Sequence, residues 1–419
     1  MVEKRYDWNE GAKLEEHSHR KHKVLREYFF DYLTVRCKLP QQERFRLAIV
    51  DGFAGGGRYQ CGTPGSPLIF IEELKRASES VNAQRTAHGL SAIEIECLLI
   101  LNDESAAAIE LLKTHVAPAQ VEVAQTTPKL HLRIEYLNQA FESAYPNIKG
   151  LLERGRYRSV VFNLDQCGHS HVERTTIVDI MRTYPSAEIF YTFMISSLLA
   201  FLQRTEPDRL RTQLAYLNLS QLDLQNLDSS IVSNNGWLGA AERIVFEAFR
   251  MCAPFVSPFS INNPNGWRYW LIHFANVYRA RQVYNNVLHE NSSLQAHFGR
   301  SGLNMLSYDP SHDGKLYLFD MSGRASAKNQ LADDIPRLVM ESGDAMPVSD
   351  FYESIYNITP AHTDDVHSAI IENPDLEVVT PSGGERRKAN TIAVNDVLKI
   401  KTQRSFFPLF LNANSARRK

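Results

Sequence analysis

Short apolar runs recur along residues 46–193, and each closes on a polar or glycine position. The runs are Leu47–Val50, Ile95–Leu101, Leu132–Leu137, Ser159–Leu164 and Glu188–Phe193. Four to eight apolar residues bounded by turn formers predict buried strands. Between them lie stretches with helical spacing: Pro67–Leu74, Ser105–Leu112 and Val172–Arg182. Strand alternating with helix is the pattern of a parallel sheet covered on both faces. A basic amphipathic helix over 17–36, with Val24, Leu25, Tyr28, Phe29 and Leu33 on one face, precedes the first strand. Val256–Ile261 and Trp267–Ala275 predict a late strand pair at an antiparallel edge, followed by a helix over Asn276–Glu290.

The pattern then changes. Residues 291–330 are rich in Ser, Gly, Asp and Asn and predict a linker. Beyond them come helices at Val348–Tyr356 and Thr359–Glu372, a strand at Leu376–Thr380, a basic turn at 381–388 and a return strand at Thr391–Val394. That layout predicts a winged helix. The expected organisation is an N-terminal helical segment (1–45), a Rossmann-like domain (46–290) with a helical insertion near 203–250, a linker (291–330), and a winged-helix-like α+β domain with a tail (331–419).

The chain has 419 residues and a formal net charge of −2, so any case for nucleic acid rests on local patches. Its five cysteines are scattered without a CxxC pair, which speaks against a disulfide scaffold and a structural zinc site. No apolar run is long enough to span a membrane, and the charged N-terminus has no signal-peptide pattern; a cytoplasmic protein is expected. His17, His19 and His22 carry no carboxylate or thiolate at zinc-ligand spacing, so no metal is expected.

The chemistry concentrates at strand ends, where open parallel sheets bind ligands. The first strand ends in Asp51-Gly52-Phe53-Ala54-Gly55-Gly56-Gly57. Glycines let backbone approach a ligand. Asp51 repels phosphate but suits the cationic amino group of a methionine moiety, so Asp51, Phe53, Ala54, Gly55 and Gly57 are candidate S-adenosylmethionine contacts. Asp103, with Glu104 as runner-up, ends the second strand where a carboxylate accepts ribose hydroxyls; it equally suits an N-cap. Asn138 ends the third, within reach of an adenine amino group or as a turn residue. The fourth ends in Asn163-Leu164-Asp165-Gln166-Cys167-Gly168-His169. Asp165, Gln166 and His169 are candidate catalytic residues, His169 as a general base. Cys167 fits packing better than catalysis. Arg386, Arg387 and Lys388 at the hairpin are candidate phosphate contacts.

Lys21-His22-Lys23-Val24-Leu25-Arg26-Glu27-Tyr28, the Val50–Tyr59 segment, Pro64-Gly65-Ser66-Pro67-Leu68 and Thr192-Phe193-Met194-Ile195 together resemble the three-Cys-motif partner (TcmP) family. The Lys-His helix and the Asp-x-x-Ala-Gly-x-Gly-Arg-Tyr turn are also similar to the bacterial adenine-N6 methyltransferase of large-subunit ribosomal RNA. The resemblance implies a class I methyltransferase fold, S-adenosylmethionine, Lys21 and His22 beside the cofactor, and a three-Cys-motif partner protein resembling radical S-adenosylmethionine enzymes. Asp165-Gln166-Cys167-Gly168 departs from the Asp-Pro-Pro-Tyr of amino-methylating enzymes. Two functions are therefore expected to compete: a methyltransferase acting on nucleic acid, and an inactive cofactor-binding or substrate-presenting module. A nuclease or hydrolase ranks below both, for want of an acidic metal cluster.

Overall fold

In the computed structural model the described residues are 8, 12–166, 168, 170–195, 215–217, 245–262, 268–291, 294–297, 303 and 316–401. The apolar runs form strands β1 (Arg44–Asp51), β2 (Glu94–Asn102), β3 (Leu130–Leu137), β4 (Ser159–Leu164) and β5 (Ser186–Phe193). These five pair in parallel in the order β3-β2-β1-β4-β5. Strand β7 (Arg268–Ala275) joins β5 antiparallel, and β6 (Phe255–Asn262) follows on its far side. The protein is thus α/β, with a Rossmann-like order that reverses between β1 and β4.

Helices α1 (Glu16–Arg36), α2 (Ser66–Ala87), α3 (Ala106–Thr126) and α6 (Tyr278–Glu290) contribute to the core on one face of the sheet. Helices α4 (Phe141–Arg154) and α5 (Arg174–Thr183) cover the other. Buried Val, Ile, Leu and aromatic side chains fill both interfaces, the main source of stability in such a sandwich. Helix α4 is not among the elements expected from the apolar pattern, and α3 runs past its expected end at Leu112. Pro146 and Pro118 lie inside these helices. A proline there costs a hydrogen bond, but Phe141, Ala144, Tyr145, Ile148 and Leu152 bury one continuous stripe of α4 and outweigh it.

The stretch expected as a linker instead carries β8 (Leu294–His297) and β9 (Leu316–Leu318), which extend the sheet from β6, and the start of α7 (Met321–Glu341). Asp320 caps α7 by accepting the Gly323 N–H. Edge pairing needs only backbone groups, which a polar composition conceals. The expected insertion at 203–250 lies largely outside the described residues; 215–217 form a 3-10 turn and 245–250 are helical.

The C-terminal unit places α8 (Val348–Ile355) and α9 (Thr363–Glu372) with α7 against a sheet ordered β10-β12-β11, namely β10 (Ala345–Pro347), β12 (Val397–Ile400) and β11 (Leu376–Val379). The return strand is β12, not Thr391–Val394. Buried Asp396 accepts from the Ala393 N–H at 2.7 Å and from Arg386, which keeps the chain turning until residue 396. The Arg281 Nε–H donates to the Tyr356 carbonyl, and the Asn285 amide to those of Thr359 and Ala361, fastening this unit to α6. No helix among the described residues is long and apolar enough to cross a membrane.

The base of β1 is set by one side chain. Buried Arg85 of α2 donates to the carbonyls of Ser91, Leu39, Pro40 and Gln42 at 2.7–3.0 Å. We expect Arg85→Met to lower stability by about 2–4 kcal/mol, because four carbonyls lose a charged donor together. Urea unfolding monitored by far-UV circular dichroism checks this; a loss below about 0.5 kcal/mol would show that water replaces the guanidinium.

Candidate functional site

The sheet's strand order reverses between β1 and β4, so the loops leaving these strands diverge and open a cleft at their carboxyl ends. A cavity of about 460 Å³ occupies it, within the size range of ligand sites. The glycine turn after β1 forms its floor. Gly55 and Gly57 hold φ of 60° and 82°, which only glycine adopts cheaply. At Gly52 a Cβ would come within 2.8 Å of Leu164 and Phe141.

Hydrogen bonds from neighbouring strands stitch the turn down. The Gly52 N–H donates to the Asn163 carbonyl and the Ala54 N–H to the Asn102 carbonyl. The Asn102 amide donates to the carbonyls of Gly52 and Gln139, joining three strand ends. Asp103 accepts the Gly55 N–H at 2.9 Å and the Ser105 N–H at 2.8 Å. Burial raises its pKa, while these two N–H groups hold it down. On the outer side, His115 of α3 bonds the Gly56 carbonyl at 2.6 Å.

Asp51 lies fully buried behind the turn. Its Oδ1 accepts from the Asn163 amide at 3.1 Å, and its Oδ2 lacks a hydrogen bond of good geometry. Burial drives its pKa up to about 7, while the Ser66 hydroxyl, Asn163 and the Phe53 N–H favour the charged form without prevailing.

Asp165 faces the cavity from the end of β4 and pairs with Lys21 of α1. Burial raises its pKa, but the Lys21 ammonium and the Thr192 hydroxyl more than offset this and keep it below the usual carboxylate value. Two sets of contacts hold α1 where Lys21 can reach. Tyr28 donates to Glu188 of β5, and Val24, Leu25, Phe29 and Leu33 sink into the core. His22, one residue on from Lys21, lines the cavity and packs near Tyr59; desolvation lowers its pKa to about 4, so it is neutral. His17 stacks on Tyr269 with centroids 4.4 Å apart.

The structure therefore gathers His22, Phe53, Ala54, Gly55, Gly57, Asp103 and Asp165 around the cavity. Lys21 stands behind Asp165 in an adjoining small pocket, and Asp51 is fully buried behind the turn and lines neither. Others go elsewhere. The Asn138 amide donates to the carbonyls of Asp103 and Glu104, holding the loop after β2, and its neighbour Gln139 lines the cavity instead. Gln166 is buried, its amide donating to the Tyr191 hydroxyl at 2.6 Å and accepting the His171 N–H; it braces the loop after β4. Cys167 and His169 lie outside the described residues. Arg386 is engaged bidentately by Asp396, whereas Arg387 and Lys388 are exposed at the hairpin tip. Several basic residues of α1 likewise have carboxylates beside them: Arg20 with Glu16, Lys23 with Glu27, Arg26 with Glu72 and Glu73.

Sequence reasoning missed Trp8, which packs on Gly55 and Gly56, and Tyr59, Gln139 and Phe141. A lone tryptophan in a polar stretch carries no periodic signal. Asn163 was discoverable, as an amide inside an apolar strand one residue from its end.

The raised pKa of Asp51 makes stability depend on pH. Between about pH 4 and about pH 7 the folded carboxyl holds its proton more tightly than the unfolded one, so stability falls as pH rises through that window. Asp51→Asn should flatten this loss, which amounts to roughly 4 kcal/mol at most. Urea midpoints of both proteins measured across that window check it; parallel curves would mean that Asp51 is ionised throughout.

Compared with known proteins, the chain matches no family model and no curated protein.

Proposed function

We propose that the chain is a class I S-adenosylmethionine-dependent methyltransferase acting on nucleic acid together with a three-Cys-motif partner protein. The observation that carries the cofactor is the charge of the cavity. Among its described lining residues are three carboxylates, Asp103, Glu104 and Asp165, and no lysine or arginine; with Asp165 paired to Lys21 behind it, Asp103 and Glu104 keep the cavity acidic. The turn is also a poor phosphate cradle. The Gly55 N–H goes to Asp103, the Gly65 N–H goes to the Gly57 carbonyl at 2.8 Å, and Pro67 at the start of α2 has no N–H. A phosphate site needs free N–H groups at a helix start. An adenosine ligand bearing a sulfonium and an ammonium group suits this cavity; a dinucleotide does not. The antiparallel β7 between β5 and β6, the arrangement of methyltransferase sheets, supports the same reading.

S-adenosylmethionine supplies an activated methyl group. Asp51, buried behind the glycine turn, would act on its ammonium end through the field of its charge rather than by contact, and Asp103 with Glu104 fits the ribose hydroxyls. Gln139 takes the place expected for Asn138, and Phe53 and Phe141 offer flat apolar surface. Asp165, held ionised by Lys21, would accept a hydrogen bond from the acceptor group and orient its lone pair toward the methyl group; S-adenosylhomocysteine is the leaving group, and the acceptor's proton passes to solvent. The remaining contribution is positioning for in-line attack.

The nucleic-acid substrate rests on the family resemblance and on reading the C-terminal unit as a winged helix, a reading supported by its three helices packed against the β10-β12-β11 sheet. With Arg386 bound to Asp396, phosphate contact falls to Arg387 and Lys388. A second reading, a cofactor-binding module without turnover, is favoured by the locked Gln166 and by the lack of an aromatic residue directly after Asp165.

Calorimetric titration with S-adenosylmethionine tests the pocket. We expect micromolar affinity that strengthens as pH passes through about 7, because ionised Asp51 behind the turn favours a nearby ammonium group, and a weaker, pH-independent interaction in Asp51→Asn. Absence of binding sinks the cofactor assignment. Asp165→Asn should keep affinity within about threefold yet cut methyl transfer to a nucleic-acid pool by roughly 100-fold, through loss of acceptor positioning. Binding without turnover in the native protein establishes the module reading.

A further inference from the structure

Among the described residues, strand β3 is one edge of the large sheet and pairs only with β2. It runs eight residues without proline, an unusually open edge, whereas the opposite edge is the three-residue β9. The β2 ladder fixes which groups face outward. The Ile95 N–H donates to the Lys129 carbonyl and the Asp103 N–H to that of Leu137, so odd-numbered residues of β3 bond inward. Leu132, Ile134 and Tyr136 therefore turn their N–H and C=O groups outward.

The side chains along this edge are self-complementary. In an antiparallel pairing of two copies centred on Ile134, Leu132 faces Tyr136 of the second copy and Ile134 faces itself. All of these residues carry outward backbone groups, so each pair exchanges both of its hydrogen bonds. The same register sets Arg133 opposite Glu135 of the second copy, twice by symmetry. Those positions are non-hydrogen-bonded pairs, where side chains approach most closely. Within one chain Arg133 already reaches Glu135 at 2.6 Å, so the two pairs merge into a four-charge cluster. Beside the edge lies an open groove of about 520 Å³, bordered by Gln120, Val123, Ala124, Leu130, Leu132 and Tyr157. The register brings Tyr136 of the second copy next to Leu132 at this groove. Helix α3, which forms one wall, also leaves Val121 55% exposed.

We propose that β3 is a self-association edge, where a second copy of this chain adds antiparallel about Ile134 and joins the two sheets into one. The contact is isologous, as a two-fold dimer requires. It is independent of the cofactor reading.

Sedimentation velocity of the full chain over about 1–100 μM tests it, that range bracketing modest interfaces. We expect a monomer–dimer equilibrium. Arg133→Glu and Glu135→Arg singly should each weaken it roughly tenfold or more, because like charges then face one another. The double variant Arg133→Glu/Glu135→Arg restores the pairs and should restore the dimer, with circular dichroism confirming that each variant folds. A monomer at every concentration overturns the proposal. So does a dimer indifferent to both single changes, or a double variant that stays monomeric.

Discussion

Burying the Asp51 carboxylate where β1 parts from β4 is the constraint on which the carboxyl edge of the sheet depends. An ionised carboxylate in an apolar interior is costly unless it is matched. Here it is matched only in part, by Asn163 on β4 and Ser66 at the start of α2. The glycine turn folds around this group, and the neighbouring strands hold that turn through Asn102, Asp103 and the Asn163 carbonyl. The cleft is thus a consequence of how strand-end backbone is satisfied. The same bonds that close the turn withdraw the N–H groups a phosphate would need.

A second charge relation crosses the cleft. Lys21 arrives from α1, far from β4 in sequence, and offsets the burial that would otherwise raise the pKa of Asp165. The anchoring of α1 by Tyr28 and by its apolar face is therefore part of the site's electrostatics as well as of the fold. Pairing with nearby carboxylates reduces the positive charge of the sequence-basic clusters. Arg26 and Arg386 each have a carboxylate partner that is itself buried, whereas the partners of Arg20 and Lys23 lie on the same helix and are at least partly exposed to solvent.

Much was determined by the chain itself. Apolar runs of strand length ending at Asp51, Asn102-Asp103 and Asp165 specify parallel buried strands, because only a doubly covered sheet buries both faces of such runs. Placing those carboxylates at strand ends places them at the ligand edge, so the cavity's acidic residues were legible. Glycine at 55 and 57 was legible for the same local reason, since positive φ is a property of one residue.

What only the tertiary structure decided depends on partners distant in sequence. Whether Asn138 or Gln139 turns toward the cleft depends on which carbonyls the amide meets, here those of Asp103 and Glu104. Gln166 became a brace because Tyr191 lies beside it in the core, and Arg386 became internal because Asp396 closes the hairpin. Helix α4 formed despite Pro146 because its apolar stripe met the sheet, and β8 and β9 formed because an edge was available to pair with polar sequence. Local pattern sets what each segment can bury. Side-chain hydrogen bonds across the sheet, which no periodicity encodes, decide which polar groups remain to act.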